Sequence, residues 1–220
     1  MTPTNPSRLT FTHLNVNGLS SLNFKRRDVF SFLRKHCPSQ VYSLVDTRFR
    51  KSQMKSINQE WGSDIRYSNN INQASRGIMV TFERKFNKAS IGKTISFDHG
   101  NLLLQEIAFG EKKILYISVS APNEDSPDFF DSIRRAIDKF IEEIPCDFLI
   151  ISGDFNLTLD PRKDTKGYRN ENNPKATEKL SLLMEEFDLH DVWREQNPES
   201  ERFTYRQKNN ATLIEEGLPP

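Results

Sequence analysis

Apolar residues follow two rhythms along this chain. Short runs at 9–14, 41–45, 65–68, 77–82, 89–97, 102–108, 114–120 and 148–151 predict strands. Longer stretches carry apolar residues at helical spacing. One starts at Asn23 and runs to His36, with Leu22, Val29, Phe32 and Leu33 apolar. A second helix is expected around 51–61. A third starts at Ser126 with Pro127 in its first turn and presents Phe129, Phe130, Ile133, Ile137, Phe140, Ile141 and Ile144. A fourth, capped by Asn173 ahead of Pro174, presents Ala176, Leu180, Leu183, Met184 and Phe187. Residues 109–113 form the charged tip of a hairpin between two of the strands. Strands alternate with helices at both ends of the chain and form a meander in the middle, which predicts an α/β fold of mixed sheets covered by helices. Residues 1–8 read as a loose lead-in, 9–206 as one domain and 207–220 as a divergent tail.

At 220 residues the chain is long enough to bury a sizeable core. Hydrophobic residues are 35%, with sixteen Phe for bulk, while 28% charged and a net charge of +1 describe a globular protein rather than a basic nucleic-acid coat. Global charge therefore neither demands nor forbids DNA. No apolar run suits a membrane span and residues 1–8 lack a signal core, so an intracellular location is expected. Cys37 and Cys146 are too few for a disulfide framework and have no His at metal spacing, so both read as reduced thiols.

The chemistry gathers at strand exits. Phe148–Ile151 runs directly into Ser152-Gly153-Asp154-Phe155-Asn156. A carboxylate delivered by a buried strand is costly unless paired, hydrogen-bonded or bound to metal, and the mouth of an α/β sheet is where ligands dock. A plain Asp/Gly turn reads the same residues without function. The first strand ends in Asn15-Val16-Asn17-Gly18, whose two amides face one side if the strand continues; Asn-Gly is equally a turn signal. Asp46 follows the strand at 41–45, and Asn123 follows the one at 114–120. The polar loop 69–76 either carries substrate contacts or merely connects. Lys25, Arg26 and Arg27, with Arg34 and Lys35, could lean on a phosphate backbone or form a solvated helix face. Carboxylates and amides without thiolates or a dense His cluster favour a hard cation with oxygen ligands, Mg²⁺ shared with a substrate phosphate above all. That set suits phosphoester hydrolysis, with Asn side chains holding phosphate oxygens.

NVNGL at 15–19, SAPN at 120–123, GDFN at 153–156, DLHDVWR at 188–194 and NP followed by FTY at 197–205 resemble, in order and spacing, the apurinic-type endonuclease domain of non-LTR retrotransposons, within the endonuclease/exonuclease/phosphatase superfamily. The resemblance covers roughly residues 8–206. It implies a four-layer α/β sandwich, two mixed sheets face to face with helices outside, and Mg²⁺-dependent nicking of double-stranded DNA to prime reverse transcription, with a possible continuation into reverse transcriptase and a nuclear location. On this likeness Asn15 lies near metal and phosphate with Asn17 as its companion, and Asp154 orients or deprotonates the attacking water. Asn156 and Asn123 match amides of the phosphate site. Val192, Trp193 and Phe203 are expected in the core, and His190 is expected to be structural.

Four departures qualify the resemblance. Asp46 stands where the family has a metal-binding Glu, and Ser120 where it has Tyr. After Tyr205 the fifteen residues RQKNNATLIEEGLPP contain neither His nor Asp, so the family's catalytic His has no counterpart. The last strands of the sandwich are then also expected to be missing, leaving a sheet edge exposed. Loss of a general acid or base costs about 10²–10⁴-fold in rate. Two readings stand side by side: a nuclease domain built around Asp154 and Asn156, and a degraded remnant that binds DNA or a protein partner without cutting. A phosphatase of small phosphoesters is a third, but residues 188–205 resemble the retrotransposon branch.

Overall fold

β2, Val41–Val45, is buried at all five positions because it has apolar neighbours on both faces. Tyr42 and Leu44 point to an outer layer of helices, while Val41 and Val45 point to a second sheet. In the computed structural model, which describes residues 8–19, 23–70, 75–87, 90–165 and 173–201, every other layer follows from this one.

The first sheet has the order β1 (Phe11–Asn15), β2, β4 (Ile78–Phe82), β3 (Ile65–Ser68). β1 and β2 are parallel, and the other pairs are antiparallel. The second has the order β5 (Ile91–Ser96), β6 (Leu102–Phe109), β7 (Lys112–Ser120), β8 (Phe148–Asp154), an antiparallel meander joined to β8 by a parallel pairing. Helix α1 (Asn23–His36) and α2 (Met54–Trp61), the latter preceded by a 3-10 turn at Lys51–Gln53, cover the first sheet through Phe30, Leu33, Ile57 and Trp61. Helices α3 (Pro127–Glu143) and α5 (Pro174–Glu186) cover the second through Phe130, Ile133, Ile137, Phe140 and Leu180. Between the sheets, Val45, Ile78 and Val80 meet Leu103, Ile107 and Tyr116. Short helices α4 (Pro161–Asp164) and α6 (Val192–Gln196) are capped by Asp160 and Asp191, whose carboxylates accept from the amides of Arg162 and Arg194. This is the four-layer α/β sandwich that the sequence predicts. No helix among the described residues is long and apolar enough to cross a membrane.

Several expectations need correction. The strand 148–151 is not fully buried: Phe148 is 54% exposed and β8 is half-buried throughout, because it has a neighbour on one side only among the described residues. Val192 is 61% exposed and Trp193 half-buried, since α6 does not pack its apolar residues into the three core clusters. His190 is likewise exposed, held between Asp188 and Glu195. On α1 the buried face runs through Phe30 and Leu33, so Phe32 faces solvent. The hairpin tip shortens to Gly110-Glu111, with Gly110 at φ 64°. Phe203, residues 71–74 of the polar loop and the tail 207–220 lie outside the described residues.

Candidate functional site

At one end of the sandwich a side-chain bond ties the last residues of two strands in different sheets. Asn15, last residue of β1, donates from Nδ2 to Oδ2 of Asp154, last residue of β8, at 2.7 Å. β1 lies against β8, so the strand ends meet although 139 residues separate them in sequence. The other oxygen of Asp154 accepts from the backbone N–H of Asn156 at 3.2 Å. Asn156 adopts φ 52°, which turns its side chain so that Nδ2 donates to the carbonyl of Ala121 at 2.7 Å. Asp154 is thus solvated by neutral amides on both oxygens.

A second arm runs through the first sheet. The Asn15 Oδ1 accepts from the backbone N–H of Asn17 at 3.0 Å, and the Asn17 Oδ1 accepts from Arg48 Nη2 at 3.0 Å. Arg48 closes a two-pronged clamp on Asp46, Nε to Oδ1 at 3.0 Å and Nη2 to Oδ2 at 2.7 Å. That bonding holds the guanidinium even more firmly protonated than an ordinary Arg. The clamp is possible because Asp46 and Arg48 both sit at positive φ, 54° and 56°. Backbone bonds fix that turn: Arg48 N–H to the Arg76 carbonyl at 2.7 Å, and Gly18 N–H to the Asp46 carbonyl at 2.7 Å. One hydrogen-bonded chain therefore joins Asp154, Asn15, Asn17, Arg48 and Asp46.

Beneath it, between the sheets, lies a polar seam. His13 shares a face of β1 with Asn15 and contacts Ser43 Oγ at 3.3 Å; Ser43 contacts Ser118 at 2.6 Å, and Tyr116 contacts Ser152 at 2.5 Å. Burial pushes the His13 imidazolium down to about 4, against the pull of Asp154, so the ring is neutral near pH 7. The Tyr116 hydroxyl is pushed up by burial, partly offset by its bonds to Ser152 and Ser43.

The predicted residues fall into three groups. Asn15, Asn17, Asp46, Asp154 and Asn156 come together. Asn123 is exposed and is joined to them through Asn173, whose Nδ2 donates to the carbonyls of Asn123 at 3.1 Å and Asn156 at 2.9 Å. Asn173 itself precedes α5 at φ 55° and makes no side-chain capping bond to it. The cations of α1 separate. Lys25 donates to the carbonyls of Val16, Asn17 and Gly18 at 2.8–2.9 Å, fixing the loop after β1. Arg26 is buried against Glu60 at 2.7 Å. Arg27 is 75% exposed and is the one of the three that faces solvent with its charge. Lys25 and Arg26 thus make these bonds within the fold, to the β1 loop and to Glu60. Sequence reasoning passed over Arg48, Asn173 and His13; for His13 the signal was present, two positions from Asn15 on one strand face.

For a hard cation, the donor chemistry of Asp154 and Asn15 fits: oxygen ligands only, held by neutral neighbours. Asp46 fits in chemistry, but both of its oxygens are engaged by Arg48. The described residues contain no cluster of three His, Cys, Asp or Glu side chains arranged for a metal.

No family model matches the chain. Over 200 residues it is 33% identical to a transposon TX1 protein of 149 kDa from Xenopus laevis; the match covers 90% of this chain and 14% of the relative, so the chain spans about one-seventh of that protein's length. Among solved structures it is similar to an AP endonuclease from Leishmania major, with TM-score 0.69 and 14% identity over 86% of this chain and 69% of that one. It is also similar to an AP endonuclease from Archaeoglobus fulgidus, with TM-score 0.62 and 16% identity over 93% and 80%. A 3'-5' exonuclease from Neisseria meningitidis gives TM-score 0.68 and 17% identity over 91% and 79%. At these identities the structural likeness establishes the fold.

Proposed function

We propose that this chain is an apurinic-type endonuclease domain of a retrotransposon that nicks double-stranded DNA by metal-assisted phosphodiester hydrolysis, the cut serving to prime reverse transcription, a reading supported by its likeness to a transposon protein and to AP endonuclease folds. The observation that carries the reading is the bond from Asn15 to Asp154, which sets a carboxylate and three amides at one mouth of the sandwich. Asp154, an anion whose immediate donors are neutral, orients or deprotonates the attacking water. Asn156, Asn17 and Asn123 hold phosphate oxygens, and Asn15 with Asp46 stands on the metal side. Mg²⁺ bound there would neutralise charge developing on the phosphate. Arg27 adds a sequence-independent phosphate contact. DNA is the partner in this reading, within a longer protein that also carries reverse transcriptase, acting in the nucleus.

The clamp of Arg48 on Asp46 favours a second reading, a DNA- or protein-binding module that no longer cuts. Supercoiled plasmid with Mg²⁺ separates the two. Nicking by the chain that is lost in Asp154→Ala is the expected result. Equal nicking by the variant would sink the site, and nicking by neither protein would leave the binding module.

A further inference from the structure

We propose that Arg48 is the resident counter-ion of Asp46 and sets the cation affinity of the site, because a divalent ion must displace its guanidinium to use that carboxylate. This rests on the proposed function of the same site. An open carboxylate at a strand exit offers a full negative charge to a cation; one held on both oxygens by a guanidinium offers a neutral pair.

Three features make the pair a built device rather than a chance surface contact. The guanidinium makes a third bond, from Nη2 to Asn17 Oδ1 at 3.0 Å, so the loop after β1 also positions it. The two left-handed residues that bring Asp46 and Arg48 together are locked by backbone bonds to Gly18 and Arg76. Gly18 leaves room for the side chain: a Cβ there would lie 3.2 Å from Arg48 Cδ. The pair is also releasable, since the Arg48 side chain is 43% exposed and solvent screens the attraction. Displacement therefore lowers cation affinity severalfold without abolishing it.

The test uses Mn²⁺ as the probe, its binding to the whole chain followed by electron paramagnetic resonance without DNA. Arg48→Ala should bind Mn²⁺ roughly two- to fivefold tighter, from the free energy of a partly exposed ion pair. The gain should vanish in Arg48→Ala/Asp46→Asn. Should Arg48→Ala not fold, Arg48→Lys, which lacks the planar fork, should still show a smaller gain. Equal affinity in the wild type and a folded Arg48 variant overturns the proposal, as does failure of any of these proteins to bind Mn²⁺. Plasmid nicking reports separately: Asp154-dependent nicking with unchanged Mn²⁺ affinity in the Arg48 variants removes this inference and leaves the function standing.

Discussion

β2 and β8 each deliver a carboxylate to the same mouth, and the fold treats the two in opposite ways. Asp46 meets a guanidinium on both oxygens, so its charge is cancelled. Asp154 meets an Asn15 amide and a backbone N–H, which solvate the anion and leave its charge in place. The nearest imidazole by electrostatic coupling, His13, is held neutral by burial and does not cancel it either. Under the proposed function the contrast separates two roles: an anion that must polarise water needs donors without a counter-charge, whereas a cancelled carboxylate is held in reserve.

The sharpest way to break this contrast is to neutralise each acid in turn. Asp154→Asn should lower nicking by about 10²–10⁴-fold, the range for loss of a positioned base. Asp46→Asn should cost markedly less, because the charge it removes is already compensated by Arg48. Measured side by side on supercoiled plasmid, an equal fall in both would abolish the asymmetry.

The polar seam beneath Asp154 gives a smaller, thermodynamic test. His13 has a depressed folded value of about 4 against 6.5 unfolded, so the unfolded chain binds more protons between those limits. Stability is then highest above pH 6.5 and is lost as pH falls toward 4, by on the order of 2–3 kcal/mol from this residue. Denaturation in EDTA across that window should show a weaker acid loss in His13→Gln than in the wild type. Parallel profiles would mean that the ring titrates freely and leaves the surroundings of Asp154 unshielded.

Legibility divides along the same line. The convergence of Asp154 and Asn15 at one mouth could be read because each closes a strand, and a polar residue there has few structural excuses. β2 could be read to the residue because five consecutive buried side chains leave no other period. Arg48 could not be read as a site residue. Its clamp joins positions i and i+2 through two non-glycine residues at positive φ, a backbone state that no sequence signal announces. The internal partners of Lys25 and Arg26 could not be read, because a basic helix face looks solvated until Glu60 and the β1 loop are known to lie against it. Val192 and β8 failed for a related reason: burial depends on the neighbour across, which local periodicity does not contain.

Asn173 offers the finest probe, because it supports the Asp154 side alone. Its amide bridges the carbonyls of Asn123 and Asn156, 50 and 17 residues away, while its backbone sits at φ 55°. Glycine tolerates that backbone as readily as Asn does, so Asn173→Gly removes the bridge with little added strain. Two lost bonds to part-buried carbonyls predict a stability loss of about 1 kcal/mol, because water can replace the lost donor. The change should appear as a lower denaturation midpoint at unchanged slope. If the bridge matters for positioning, nicking should fall further than stability does while Mn²⁺ affinity at Asp46 stays constant, since Arg48 and Asn17 are untouched. A variant that loses Mn²⁺ affinity as well would show that the two arms of the mouth are mechanically coupled, and that the opposite treatment of their carboxylates is not independent.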